Sequence, residues 1–231
     1  MRRYAVLLVT LLTLSTVSLV YAGLDDAESA YRRGDYVKAA KDFKALAEHG
    51  NAEAQLHLGL MYDGGQGVPR NYPEAVKWFR KAAEQGLAQA QLKLGLMYDE
   101  GRGVPRDYSE ALRWFLKAAE QGMTEAQFNL GLMYHEGEGV PQDYPEAMKW
   151  LRRAAEHRDA SAQYNLGVMY TKGEGVPQDL VQAHLWFNFA AAQGNSKAQV
   201  ARDKIAAELT PSQIAEAQRL AKEWKPEGQE K

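Results

Sequence analysis

The stretch Leu58-Gly59-Leu60-Met61-Tyr62-Asp63-Gly64-Gly65-Gln66-Gly67-Val68-Pro69 recurs three more times along the chain at a fixed interval of 36 residues. The further copies begin at Leu94, Leu130 and Leu166 and read LGLMYDEGRGVP, LGLMYHEGEGVP and LGVMYTKGEGVP. A period of about 20 to 50 residues is typical of stacked repeat architectures. The sequence therefore predicts a row of repeated units that bury their apolar faces against one another.

The first complete unit shows what each repeat contains. Ala54, Leu58 and Tyr62 are spaced by four, which predicts a helix over residues 52–62. Three glycines and a proline predict a loop over residues 63–71. A second helix is predicted from residue 72 or 73 to residue 85, with Trp78 and Phe79 on its apolar stripe. Each unit is thus a helix hairpin that depends on its neighbours for burial.

The same letters divide the rest of the chain. Repeats are predicted over 51–86, 87–122, 123–158 and 159–194, preceded by a degenerate repeat over 23–50 and followed by a half-repeat with a capping helix over 195–225 and a tail over 226–231. Thr210-Pro211-Ser212-Gln213 reads as a capping box at the start of the last helix. Two departures stand out: Arg158 replaces a hairpin-ending glycine, and Leu180 replaces a loop tyrosine.

Residues 1–22 have the composition of a secretory signal peptide. Arg2 and Arg3 precede an apolar run, and small residues near the end predict cleavage after Ala22. The alternative is an uncleaved membrane anchor, which would be the chain's sole contact with a membrane. We therefore expect a periplasmic or secreted protein.

Charge and cysteine content narrow the classes of partner. The chain has 28 basic and 30 acidic residues, and loss of Arg2 and Arg3 would lower the net charge from −2 to −4. This mild acidity argues against binding nucleic acid, whose phosphates attract basic surfaces. The sequence contains no cysteine, so we expect stability to come from packing between repeats and not from disulfides.

The recurring letters resemble the Sel-one-like repeat, a branch of the tetratricopeptide superfamily with a longer loop between its helices. The resemblance covers residues 51–207 and implies an all-α α-solenoid, a right-handed superhelix of antiparallel helix hairpins used as an adaptor between proteins. Exported bacterial members are associated with envelope assembly, polysaccharide secretion or contact with host cells. A cysteine-rich branch has been credited with binding or hydrolysing penicillins, and this chain departs from that branch.

The resemblance also implies where a partner would bind, because first helices line the inner groove in tetratricopeptide proteins. This alignment places a strip of large side chains and their neighbours on the groove side: Leu56, Leu92, Phe128, Tyr164, His57, Lys93, Asn129 and Asn165. With glutamates at one edge, the strip suits an apolar or basic extended segment. In the alternative, Leu56 and its equivalents pack between neighbouring first helices.

Candidates for chemistry are few. The five histidines are not spaced as a metal pair on a helix, and the glycine-rich loops lack the lysine of a phosphate loop. Asp63, Asp99 and His135 share one loop position and predict either a weak cation-binding edge or a solvated rim. The tryptophans at 78, 114, 150 and 186 lie on the alanine stripe, which favours hairpin packing over a ligand ladder.

The sequence therefore favours a non-catalytic scaffold that binds a protein or peptide, without metal or cofactor, and we expect a monomer. The alternative is an envelope protein that binds or hydrolyses glycan or peptidoglycan. Loss of partner capture after substitutions on the first helices would favour the scaffold, whereas turnover that depends on the loop acids would favour the enzyme.

Overall fold

The computed structural model describes residues 23–224, and every regular element among them is a helix. Residues 23–32 are helical and are called α1. The other helices are α2 (Tyr36–Glu48), α3 (Ala52–Gly64), α4 (Tyr72–Glu84), α5 (Ala88–Glu100), α6 (Tyr108–Glu120), α7 (Thr124–Glu136), α8 (Tyr144–Glu156), α9 (Ala160–Lys172), α10 (Leu180–Ala192), α11 (Ser196–Glu208) and α12 (Pro211–Glu223). The prediction of an all-α solenoid of helix hairpins is confirmed.

The chain forms two compact units, divided between Asp107 and Tyr108. In the first unit α2 packs on α3, α3 on α4, and α4 on α5. In the second, consecutive helices from α6 to α11 pack in the same way, and α12 packs on α10. Each unit is thus a stack of helices in which α2 to α5, or α6 to α11, pack on the helices next to them along the chain.

The helix ends follow from local chemistry. The Asp143 side chain accepts a hydrogen bond from the Glu146 amide at 3.0 Å, which satisfies one free donor at the start of α8. The predicted capping box at α12 is confirmed, because Thr210 and Gln213 bond each other's backbone amides. At the other end, α7 stops at Gly137 and α9 at Gly173, both in the left-handed conformation that glycine adopts without strain.

The Leu-Gly pair of the repeat allows the two helices of a hairpin to approach closely. A Cβ atom at Gly131 would lie 2.5 Å from Cγ of Leu151, and one at Gly167 would lie 2.6 Å from the Phe187 ring. Real Cβ atoms do not come this close to a neighbour. Glycine is therefore required where the large side chain of the second helix crosses the first.

The last loop glycine of each repeat links that repeat to the previous one. A Cβ atom at Gly139 would lie 2.5 Å from the Tyr108 carbonyl oxygen, at the start of α6. A Cβ atom at Gly175 would lie 2.8 Å from the carbonyl carbon of Tyr144, at the start of α8. The loop backbone thus rests on the first turn of the preceding second helix.

A buried glutamine in each first helix was not foreseen from the sequence. Gln55, Gln91, Gln127 and Gln163 are 2–4 % exposed, and each Nε2 donates to a carbonyl at the end of the preceding second helix, over 3.1–3.3 Å. Each of these carbonyls also accepts a backbone amide from the turn after the helix, so the glutamine adds a second hydrogen bond and satisfies its own buried donor. The glutamines therefore fix how successive hairpins stack.

The tryptophans pack as predicted. All four are 3–4 % exposed, within the hairpins. Cationic side chains lie over three of them; for example, Lys81 Nζ is 4.3 Å from the Trp78 ring centroid, and Arg153 Cζ is 4.6 Å from that of Trp150. Trp186 instead contacts Trp224 edge-on, at 5.8 Å between ring centroids, where α12 covers α10. These rings are structural.

Candidate functional site

The solvent-facing side of the first helices is the candidate interaction surface, here called the first-helix face. In the first unit, the sequence placed Leu56 of α3 and Leu92 of α5 on this face. Both side chains are 2 % exposed and belong to the core. The prediction that they line a groove is wrong for this structure, because a leucine at this position is short enough to be covered by the neighbouring helices.

His57 and Lys93 follow these leucines and are half-buried. The His57 ring stacks on Phe43 of α2, with centroids 4.6 Å apart and planes inclined by 9°. Burial lowers the pKa of His57 below its usual value, although Glu28 and Glu53 oppose the shift. The His57 ring is therefore a packing partner of α2, and Lys93 is half-buried on α5.

In the second unit, the large side chains reach further towards solvent. Phe128 of α7 and Tyr164 of α9 are half-buried and pack on the unit's core cluster. The Tyr164 ring lies 5.7 Å from that of Phe187. Longer side chains at this position extend beyond the core, so part of each ring stays accessible where Leu56 and Leu92 are covered.

The amides beside these rings complete the face. Asn129 and Asn165 are half-buried, and Asn165 Nδ2 donates to the Ser161 carbonyl at 2.8 Å. Leu132 and Val168, one turn further on, are also half-buried and were not singled out from the sequence. The spacing of 128, 132 and 164, 168 contained the signal, because residues four apart share a helix face.

The loop position shared by Asp63, Asp99 and His135 does not form a free acidic edge. Asp63 Oδ1 lies 3.2 Å from the Arg102 guanidinium, contributed by the loop of the next repeat. His135 Nε2 lies 3.0 Å from Glu174, also in the next loop, and Nδ1 lies 2.7 Å from Glu136. In these pairs the side chain at the end of a first helix is bonded to the loop of the next repeat, so Asp63 and His135 act as links between consecutive repeats.

The link at His135 is sensitive to protonation. Partial burial opposes the charged ring, but the hydrogen bonds to Glu174 and Glu136 outweigh it and raise the pKa of His135. Partial burial also opposes ionisation of Glu174, yet its bonds to His135 and Lys172 lower the pKa of that carboxyl. The charged pair is thus favoured at mildly acidic pH.

Within residues 23–224, no three His, Cys, Asp or Glu side chains are arranged to hold a metal ion. His184 is buried on α10, and burial, reinforced by Arg202, lowers its pKa. None of the described helices is long and apolar enough to cross a membrane. The predicted signal sequence lies outside the described residues, as does the tail.

Comparison with known proteins gives consistent matches. The model of the Sel1 repeat matches residues 52–87, 88–123, 124–159 and 160–195, one residue later than the repeats read from the sequence. A Sel1 repeat protein from Oxalobacter formigenes has 35 % identity and a TM-score of 0.77, over 87 % of this chain and 83 % of that one. No curated protein matches the chain.

Two further solved structures are similar. A protective antigen present in uropathogenic Escherichia coli strains, with an SLR fold, is 30 % identical with a TM-score of 0.57, and the match covers 88 % of this chain and 52 % of that one. This chain therefore spans about half the length of that relative. A putative Sel1 repeat protein from Klebsiella pneumoniae subsp. pneumoniae is 25 % identical with a TM-score of 0.50, over 81 % and 93 % of the two chains.

Proposed function

Because the chain belongs to the Sel1 repeat family, whose members are generally protein-interaction scaffolds, we propose that it is a non-catalytic adaptor that binds a segment of a partner protein on its first-helix face. The observation that carries this proposal is the accessible part of Phe128 and Tyr164 beside Asn129 and Asn165 in the second unit. Aromatic rings provide contact area at low entropic cost, and amides satisfy the backbone of an extended segment.

The solvent-facing side of the second helices α4, α6, α8 and α10, here called the second-helix face, is a poorer candidate. Lys149 lies 3.0 Å from Glu146, and Arg113 lies 2.7 Å from Glu110, so two of the cations that cover the tryptophans are paired along their own helices. Exposed pairs of this kind contribute little to binding energy, and the tryptophans beneath these cations are buried. Partner binding is therefore assigned to the first helices.

The adaptor would work in the bacterial envelope or outside the cell. The charged, apolar and small-residue order of residues 1–22 supports this location. N-terminal sequencing of the protein from cell fractions tests it. A chain that begins at Gly23 in the soluble envelope fraction fits the proposal, whereas an intact N-terminus in the membrane fraction would replace the cleaved signal by an anchor.

Affinity capture with paired variants tests the binding face. Asn129→Arg with Asn165→Arg adds bulk and charge at half-buried positions beside the rings, without truncating Phe128 or Tyr164, which pack on the core. The matched control, Lys117→Glu with Lys149→Glu, alters two exposed cations of the second-helix face. We expect the first pair to lose captured proteins and the control to retain them, with thermal unfolding of both close to the parent.

The reverse pattern would move the binding surface to the second helices. Equal capture by both variants would contradict the first-helix face as the binding surface.

A further inference from the structure

The first-helix face is less covered after the fourth repeat, because the loop that follows each earlier first helix is missing there. Seven residues separate α7 from α8 and α9 from α10, but only Leu209 and Thr210 separate α11 from α12. In the repeat before, the loop contributes Glu174, which bonds His135 at 3.0 Å and covers the end of α7. Thr171 occupies the position of His135 on α9, and its hydroxyl donates to the Gly167 carbonyl at 2.8 Å.

A second difference from the other repeats, at the start of α10, leaves the same region less covered. The loop tyrosine of the other repeats helps to fill the space between consecutive loops; for example, Arg102 Cζ of the following loop lies 5.3 Å from the Tyr72 ring centroid. In the fourth repeat this position is Leu180. The shorter, aliphatic side chain leaves uncovered the space that a tyrosine ring and a following loop would occupy.

The outcome is an open pocket of about 240 Å³ between α9, α10 and α11. Its apolar walls are formed by Val168, Leu180, Phe187, Ala201 and Ile205. Val168 belongs to the first-helix face, so the pocket continues that face at its C-terminal end. At about 30 Å³ for each water in the liquid, the volume equals roughly eight waters, enough for one large apolar side chain.

The rim of the pocket carries charge. Lys172, Lys204 and Glu208 border it. Lys172 Nζ lies 3.3 Å from Glu174, whereas Lys204 forms no ion pair with any residue in the described part of the chain. This end of the face therefore offers an exposed cation, Lys204, next to an apolar cavity, with Glu208 one turn further along α11.

Resting on the proposed function, we propose that this pocket binds a partner segment in which a large apolar side chain lies next to a carboxylate. The apolar side chain enters between Leu180 and Ile205, where burial against apolar walls is favourable. The carboxylate pairs with Lys204 at the rim, where a charge contributes more to specificity than to affinity.

The chain's own terminal segments do not fit this occupant. Residues 225–231, Lys-Pro-Glu-Gly-Gln-Glu-Lys, contain no large apolar side chain. Residues 1–24 contain apolar side chains but no aspartate or glutamate, so they lack the carboxylate. The occupant is therefore assigned to another protein.

Fluorescence anisotropy with labelled hexapeptides tests the assignment. The full chain is titrated into Gly-Ser-Phe-Glu-Ser-Gly, its Phe-Lys counterpart and its Ala-Glu counterpart. We expect the Phe-Glu peptide to bind about tenfold more tightly than the Ala-Glu peptide and severalfold more tightly than the Phe-Lys peptide. Equal affinity for all three, or no saturable binding at about 1 mM, would overturn the proposal.

Three variants and a control locate the site. Leu180→Tyr restores the residue of the other repeats and fills the pocket, and Ala201→Leu fills it from the opposite wall; each is expected to weaken Phe-Glu binding by about tenfold. Lys204→Glu should abolish the preference for Glu over Lys. Lys197→Glu, an exposed charge reversal on the same helix, should leave all affinities unchanged.

Other occupants would show themselves in the same experiments. Self-association that is lost in Leu180→Tyr, seen by analytical ultracentrifugation, would assign the pocket to a second copy and overturn the proposal. Peptide binding that is unchanged in both Leu180→Tyr and Ala201→Leu would also overturn the proposal. If none of the peptides binds, while the Asn129 and Asn165 double variant still loses its captured partner, the pocket is refuted as a binding site and the first-helix face is retained as the binding surface.

Discussion

Replacing His157 by glutamine should stabilise the second unit. In the fourth repeat, Gln193 Nε2 donates to Oε1 of the buried Gln163 at 2.6 Å. The third repeat has His157 where Gln193 stands, and the corresponding oxygen, Gln127 Oε1, is buried without a partner. The sequence departure has therefore left an unsatisfied acceptor at this position.

The size of the effect follows from that acceptor. A buried polar group without a partner costs about 1–3 kcal/mol, and a typical hydrogen bond contributes about 1 kcal/mol net. We expect His157→Gln to raise the free energy of unfolding by about 1 kcal/mol, which for a chain of this size corresponds to about 2–4 °C in Tm. Thermal unfolding followed by circular dichroism, with urea unfolding alongside, measures both quantities.

The neighbouring position adds a second, separable gain. Arg158 has a φ of 63°, the conformation that glycine adopts at the equivalent hairpin ends. A left-handed backbone conformation costs a residue with a Cβ about 1–2 kcal/mol, and glycine avoids this cost. Glycine also makes the unfolded chain more flexible, which lowers stability by about 0.4–1 kcal/mol. Arg158→Gly should therefore stabilise by about 0.5 kcal/mol.

The matched control is the reverse exchange in the fourth repeat. Gln193→His removes the donor to Gln163 and should lower the free energy of unfolding by about as much as His157→Gln raises it. A His157→Gln protein that is no more stable than the parent, while Gln193→His is destabilised, would refute the interpretation that Gln127 lacks a partner because of His157.

Three further predictions concern the hairpins and the loop link. Gly167→Ala should destabilise by about 1 kcal/mol in urea unfolding, because overpacking against Phe187 costs about 1–3 kcal/mol and exceeds the helix-propensity gain of about 1 kcal/mol; a stabilised variant would contradict the close approach. Trp150→Ala should cost about 3–5 kcal/mol as a core truncation, and a loss below about 1 kcal/mol would show that the hairpin register is wrong. The stabilisation lost in His135→Gln should be largest between pH 4.5 and 6.5. The raised pKa of His135 makes its contribution to stability fade as pH rises above 6.5, and the lowered pKa of Glu174 makes its contribution fade as pH falls below 4.5. A loss that is independent of pH from 4 to 8 would exclude the charged pair.

Much of the fold could be predicted from the sequence, because the same apolar, glycine and proline positions recur in each of the four repeats. Apolar spacing of three and four identified both helices, and the loop glycines and Pro69 marked the connection. The second helix, expected over residues 72–85, is Tyr72–Glu84. The first helix continues to Gly64, two residues beyond the prediction, because the left-handed turn that ends it lies at Gly65.

The candidate face was harder to predict, because a helical stripe does not state how deeply each side chain is buried. Leu56 and Phe128 share one repeat position, yet the leucine is covered and the phenylalanine is half-buried. The buried glutamines were missed because glutamine ordinarily faces solvent. Their identity in all four copies, Gln55 onward, was the available signal, since a solvent-facing position would not need the same polar side chain each time.

The terminal pocket combines two features of which the sequence showed only one. Leu180 stood out as a departure from the loop tyrosine. The consequence depended on the position of α11 and on the two-residue connection to α12, which removes the loop that would otherwise cover the pocket. A pocket of this kind arises from packing between repeats, so the repeated sequence pattern does not predict it.

Photo-crosslinking in the producing cells tests the central claim, that a partner protein binds the first-helix face, most directly. A photoreactive residue is placed at Asn165, on that face, and in a parallel strain at Lys149, on the second-helix face. The account predicts a discrete protein adduct from position 165 that is absent from position 149. An adduct from position 149 alone, or the same adducts from both positions, would contradict it.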